Sequence, residues 1–229
     1  MIRAVTLVFT STCFFLFWGF TTSEINERTI NNYFPVNLQN ESLFKTSFGE
    51  ATSRFLVKKN EVVSVNEGSK FKYVQSLEIT DKGVFVKETY QKVNLFLFLK
   101  KEETFKYDKP ILRLPFDLSS GSTWEWEGVE YSNGDSAIVK CFGKVFEKEK
   151  IEVEAGKFEA IKVETTVISS NGSKNFISEW YANDVGLIKA EIMVNGGGLM
   201  GLLRDILGYK TIQFELKKIS GKKVSMPKF

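Results

Sequence analysis

The chain has 229 residues, with 31 Lys and Arg against 28 Asp and Glu, two cysteines and no histidine. A formal net charge of +3, with lysine and glutamate interleaved throughout, describes a mixed soluble surface and excludes the one-sided basic footprint of a nucleic-acid partner. The absence of histidine excludes triads with a histidine base and the common zinc sites, and no metal or cofactor is expected.

In chain order, Arg3 precedes an apolar run over residues 4–20, and the small residues 21–23 lead into Glu24. This is the order of a secretory signal, so residues 1–23 are expected to be removed near Glu24 and the protein to be periplasmic or extracellular. An uncleaved membrane anchor is the alternative, because the run approaches the roughly 17 residues that span a bilayer. Thr10, Ser11 and Thr12 in its middle favour cleavage. Cys141 is then the one remaining cysteine, and it cannot form a disulfide within the chain. The fold must rest on an apolar core, and residues 24–229 suffice for a single all-β domain that buries roughly 70% of its unfolded surface.

Most of this stretch alternates polar and apolar residues with period two. "KVNLFLFLKK" breaks the alternation, with Leu95, Leu97 and Leu99 on one face and Phe96 and Phe98 on the other. Read as one strand, it needs apolar cover on both sides. "TWEWEGVEY" sets Trp124 and Trp126 against Glu125 and Glu127, the pattern of a half-buried strand. In "AIVKCFG", Cys141 reads as a small buried apolar residue. "EKIEVEAGKFEAIKVETTV" is a hairpin turning at Ala155-Gly156, and further turn signals stand at Asn66-Glu67-Gly68, Asp81-Lys82-Gly83, Ser132-Asn133-Gly134, Asn171-Gly172 and 183–186. They mark about ten or eleven strands in a sandwich, barrel or curved sheet. Glu125, Glu127, Glu130, Glu152, Glu154, Glu159 and Glu164 read as a solvated strand face rather than as acid–base catalysts.

The helical signal is "GGGLMGLLRDILG", where Leu199, Leu202, Leu203, Ile206 and Leu207 form an apolar stripe about three turns long. It is read as a short helix over residues 199–207 that plugs the sheet, with a lid as the alternative. A weak echo aligns Pro35, Leu38, Ser42 and Phe44 with Pro115, Leu118, Ser122 and Trp124, suggesting two halves at about 33–110 and 113–219.

Taken in order, "YFPVNLQNESLF", "LPFDLSSGSTWEW", "IEVEAGKFEAIKVE" and "EWYANDVGLIKAE" resemble the exported bacterial proteins grouped as DUF3108 and the related TapB-like domain, over most of residues 33–219. In the first motif Asn40-Glu41 replaces the usual glycine and Phe44 the usual tryptophan. The resemblance implies a strongly curved antiparallel sheet forming an open, incompletely closed barrel, similar to periplasmic lipoprotein carriers, and no catalytic residue. The expectation is therefore a mainly β, non-enzymatic exported protein. It would hold an apolar ligand, such as a lipid or acyl chain, or an apolar segment of an envelope protein. The candidate lining is Phe44, Leu95, Leu97, Trp124, Trp126, Leu199 and Leu203. A structural or accessory component of a cell-surface assembly, with a filled core, is the alternative.

Overall fold

The computed structural model describes residues 32–36, 41–58, 61–96, 99–195 and 210–220. The signal segment 1–23 and the expected helix over 199–207 lie outside the described residues. Among the described residues the regular structure is entirely β, in twelve strands: β1 (Glu41–Thr46), β2 (Gly49–Lys58), β3 (Glu61–Gly68), β4 (Phe71–Ile79), β5 (Gly83–Phe96), β6 (Leu99–Pro115), β7 (Thr123–Ser132), β8 (Asp135–Val153), β9 (Gly156–Ser169), β10 (Lys174–Ala182), β11 (Gly186–Asn195) and β12 (Thr211–Ser220).

Each strand runs antiparallel to its predecessor, and β12 returns to β1, with Glu41 opposite Ser220 and Thr46 opposite Phe214. The barrel is closed. This corrects the expectation of an open barrel of ten or eleven strands. Closure is a pairing between the two ends of the sequence, so no local pattern announces it. The strand count is short because the β1–β2 turn at Ser47-Phe48 carries little turn chemistry in its own letters. Its work is done by Thr46, whose hydroxyl accepts from the Phe48 N–H at 3.0 Å and donates to the Gly49 carbonyl at 2.7 Å. "LFLFL" is likewise corrected from one strand to parts of two, with Leu95 and Phe96 ending β5 and Leu99 opening β6 opposite Phe96.

Up-and-down connectivity places the turns β1–β2, β3–β4, β7–β8 and β9–β10, with the last residues of β5 and β11, at one end of the barrel, here called the rim. The other end is stopped by residues 32–36. The Asp184 N–H donates to the Asn32 carbonyl at 2.8 Å, and the buried Phe34 ring lies 5.2 Å from Phe55. Around Phe34 pack Leu77, Val84, Leu114, Val145, Val163 and Tyr181. A second apolar cluster forms under the long β8–β9 hairpin. There Gly156 adopts φ 140°, a backbone that favours glycine, and the Ala155 N–H donates to the Leu216 carbonyl at 3.1 Å. Phe44, Val153, Trp180, Ile188 and Leu216 fill this cluster.

Outward positions carry lysine and glutamate. Ion pairs Lys140–Glu127 (3.1 Å), Lys157–Glu152 (3.2 Å) and Lys162–Glu164 (2.7 Å) cross neighbouring strands or run along one. Exposed pairs of this kind contribute little stability each. Their presence on the outer wall opposes the apolar band that faces lipid in a membrane barrel.

The β6–β7 joint departs furthest from regular pairing. The β6–β7 ladder comprises Lys106 opposite Tyr131 and Tyr107 opposite Glu130. Past it β6 bulges, because residues 107–110 stand opposite the single residue Lys87 of β5. Side chains stitch the bulge to β7. Asp108 Oδ1 accepts from the Val129 N–H at 2.9 Å, and Trp126 Nε1 donates to the Pro110 carbonyl at 2.9 Å.

Candidate functional site

A closed barrel of eight strands is just filled by its own side chains, whereas more strands widen the interior. Here the interior splits by depth. The end stopped by Phe34 is packed, and the rim half holds a cavity of about 360 Å³. Val139, Val167, Ile177, Ile192 and Ile212 supply an apolar wall. At the rim Phe48, Phe71 and Phe214 meet edge to face, with ring centroids 5.8 and 6.0 Å apart.

The facing wall is polar, because inward positions of β4 to β7 and β10 bring together residues distant in sequence. Arg113 Nη1 donates to Gln75 Oε1 at 2.7 Å, and Nη2 to Glu179 Oε1 at 3.3 Å. Gln75 Nε2 donates to the Tyr73 hydroxyl at 3.0 Å, and Thr89 lies beside both Tyr73 and Tyr107. Arg113 stands at the cavity floor, its guanidinium 5.9 Å from the centre of the Phe34 ring. It also borders a smaller space of about 80 Å³ around that plug. It is enclosed by the barrel, yet 21% of its side-chain surface is open, as befits a residue facing a hollow. The Asn175 Oδ1 atom is a buried acceptor without a donor on the cavity wall, and the Tyr181 hydroxyl beside Arg113 and Glu179 also lacks a hydrogen bond of good geometry.

Burial opposes the charge of Arg113, but Tyr181, Glu179 and Tyr73 outweigh it and hold the guanidinium above its ordinary value. Burial pushes the phenols of Tyr73, Tyr107 and Tyr181 upward. Burial, then the charge of Glu103, raises Glu130. Burial pushes the Cys141 thiol up to about 12, which keeps it protonated and unreactive at neutral pH. Among the described residues no cluster of metal-ligating side chains occurs. The arrangement is suited to enclosing and hydrogen-bonding a ligand.

The residues expected to line a cavity fall in different places. Phe44 borders the smaller space near the plug and is buried in the second cluster beside Leu216. Trp124 packs against the Phe34 core and covers Gly143, where a Cβ would collide with its ring. Trp126 meets Tyr107 edge to face at the β6–β7 joint, 6.2 Å between centroids. Leu95 belongs to β5, but its side chain is outside the description, as are Leu97, Leu199 and Leu203 altogether. The polar wall was missed by sequence reasoning. Its signal was present as Arg113 set among Ile111, Leu112 and Leu114, and as Glu179 beside Trp180, charged residues inside apolar runs. Of the glutamates, Glu127, Glu152, Glu154, Glu159 and Glu164 form surface ion pairs. Glu130 instead lines the cavity.

A family model described as DUF3108-like matches residues 132–203, the stretch that contains the β8–β9 hairpin and the β10–β11 turn, and this bears out the resemblance read from those motifs. No curated protein matches the chain. Two crystal structures are similar at low identity. One is a candidate lipoprotein from Parabacteroides distasonis ATCC 8503, and the other a candidate exported protein with a YmcC-like fold from Bacteroides fragilis NCTC 9343. Each is 13% identical with a TM-score of 0.42, covering 82% of this chain and 98% of its own.

Proposed function

We propose that this is an exported, non-enzymatic container protein that holds a single apolar chain, such as an acyl chain, inside the barrel. The observation that carries the reading is the cavity of about 360 Å³ between an apolar wall and a phenylalanine-lined rim. That volume lies near the lower end of the roughly 300–1,000 Å³ of small-molecule sites, which suits one chain better than two. The signal-like order of residues 1–24 and the exported description of the Bacteroides fragilis neighbour support export.

The energetics are modest. A chain burying roughly 400 Å² of apolar surface gains about 10 kcal/mol at about 25 cal/mol per Å². Association costs at least about 4 kcal/mol, which leaves at most about 6 kcal/mol, an affinity no tighter than tens of micromolar before any polar contact is counted.

The test is saturable binding of the neutral dye N-phenyl-1-naphthylamine, followed by its fluorescence, to the wild type and to Ile177→Trp. Ile177 lines the cavity, and the larger ring fills it. The wild type is expected to bind dye saturably and the folded variant to lose it. No saturable binding by the wild type, or equal binding by the variant, overturns the reading.

A further inference from the structure

We infer that the ligand carries an uncharged, hydroxyl-bearing head group and enters the barrel head first, an inference that rests on the container reading above. The ion pair Arg113–Glu179, with Gln75, lies at the floor beside the Phe34 plug, and the phenylalanines stand at the rim, while Glu130 and Asn175 line the wall nearer the rim. A single-chain amphiphile therefore matches the cavity with its head inward and its tail toward Phe48, Phe71 and Phe214.

Charge balance selects the head. Arg113 and Glu179 form an ion pair deep in the barrel, with side chains only 21% and 12% exposed. Their charges cancel. A carboxylate or phosphate brought to this floor would set a second anion beside Glu179 with no cation left to compensate it, and an ammonium would face Arg113. Either places an unbalanced charge in a site shielded from water, a heavily unfavourable arrangement. A neutral oxygen group meets no such opposition. Arg113 commits two of its five N–H groups to Gln75 and Glu179, so it retains donors for a ligand oxygen. Glu179 bonds Arg113 through Oε1, so Oε2 can accept from a ligand hydroxyl. A head group that both donates and accepts, as a hydroxyl does, satisfies the pair without disturbing its charge. A glycerol ester or a long-chain alcohol has this chemistry.

The other acidic group on the cavity wall does not change the balance in favour of an anion. Glu130 of β7 faces Tyr107 and lies near Glu103 of β6, and burial favours its neutral form. Lys72 and Lys92 border the cavity with Glu67 and Glu102 as ion-pair partners. The cavity therefore offers an incoming anion no uncommitted lysine on these two strands.

The experiment compares three probes that share one chain, 1-monooleoylglycerol, oleyl alcohol and oleate, as competitors of N-phenyl-1-naphthylamine, with oleate fully ionised at about pH 9. The wild type is expected to bind the two neutral probes at least about tenfold more tightly than oleate, and the glycerol ester, with its additional hydroxyl, more tightly than the alcohol. Glu179→Gln removes the negative partner, keeps the shape and leaves Arg113 uncompensated. It is expected to shift the oleate-to-monooleoylglycerol affinity ratio toward oleate by at least about tenfold. Arg113→Met/Glu179→Leu removes both charges together and is expected to bind monooleoylglycerol and oleyl alcohol with equal affinity. It keeps the inference testable if the single variant does not fold.

Dye binding without displacement by any neutral probe, or an equal or better affinity for oleate in the wild type, overturns the head-group inference and leaves the container standing. An unchanged ratio in folded Glu179→Gln overturns it as well. So does a double variant that still prefers the glycerol ester to the alcohol as strongly as the wild type. If neither dye nor lipid binds, the container reading itself fails.

Discussion

The barrel is sealed at two unlike joints. β1 and β12 come from opposite ends of the chain and yet pair over the whole of β1, from Glu41 opposite Ser220 to Thr46 opposite Phe214. β6 and β7 are consecutive, joined by the short connection 116–122, and yet share a ladder of two residue pairs before the bulge at 107–110 parts them. Proximity in sequence therefore does not decide how strongly two strands are held. The β12–β1 joint is backed by an apolar cluster and by the β8–β9 hairpin, which ties into the Leu216 carbonyl. The β6–β7 joint is held by an exposed carboxylate, an indole N–H and one edge-to-face aromatic contact beside its two-pair ladder.

The largest expected effect strikes the strong joint. Leu216 is fully buried among Phe44, Val153 and Ile188, so Leu216→Ala should cost about 2–5 kcal/mol. Because this joint closes the barrel, urea unfolding should show the loss as a lowered midpoint of the global transition. A midpoint that does not move would mean that β12 contributes nothing to closure.

The weak joint should respond locally. Asp108→Ala removes the acceptor of the Val129 and Lys109 N–H groups and should cost about 1 kcal/mol, since the group is exposed. Amide hydrogen exchange should quicken in β6 and β7 around Val129 and stay unchanged in β1 and β12. Equal acceleration at both joints would erase the distinction between them.

The smallest effect concerns pH at the same joint. Glu130 has a folded pKa raised above its ordinary value by burial and by Glu103, with Tyr107 opposing as a hydrogen-bond partner. Cys141 and Tyr73 also lie within its field. A raised acid binds its proton more tightly in the folded state. The stability it lends is full below the ordinary carboxylate range and is lost as pH rises through the folded pKa. Glu130→Gln, which cannot ionise, should therefore raise the melting temperature relative to the wild type at about pH 8 more than at about pH 4. The same difference at both pH values would mean that Glu130 is solvated like the surface glutamates.

The contrast also sorts what was legible in the letters. The hairpin at Ala155-Gly156 and the turns at 133–134 and 183–185 could be read because two or three adjacent residues determine them, and Gly156 adopts the positive φ that its place requires. The solvated glutamates could be read because alternation assigns a face to every second residue. Closure could not, since Phe44 opposite Leu216 is a relation between distant segments. The polar wall was hidden for the same reason. Arg113, Gln75 and Glu179 each look like one more charged or polar residue in a strand rich in them, and only the barrel's register brings them within hydrogen-bond distance. "LFLFL" misled because an unbroken apolar run has no period to mark where a strand stops and its partner starts.

The return of β12 to β1 also sets an order of events for a growing chain. Every other pairing joins strands that follow one another, so hairpins can form with small loop-closure cost as soon as their two strands are available. The first strand alone has to wait for the last. Until residues 211–220 arrive, the edges of β1 and β11 present unpaired backbone groups that invite pairing with other chains. A version shortened before β12 would keep those edges permanently, so its expected fate is aggregation rather than a smaller barrel, which sedimentation of the truncated chain would show.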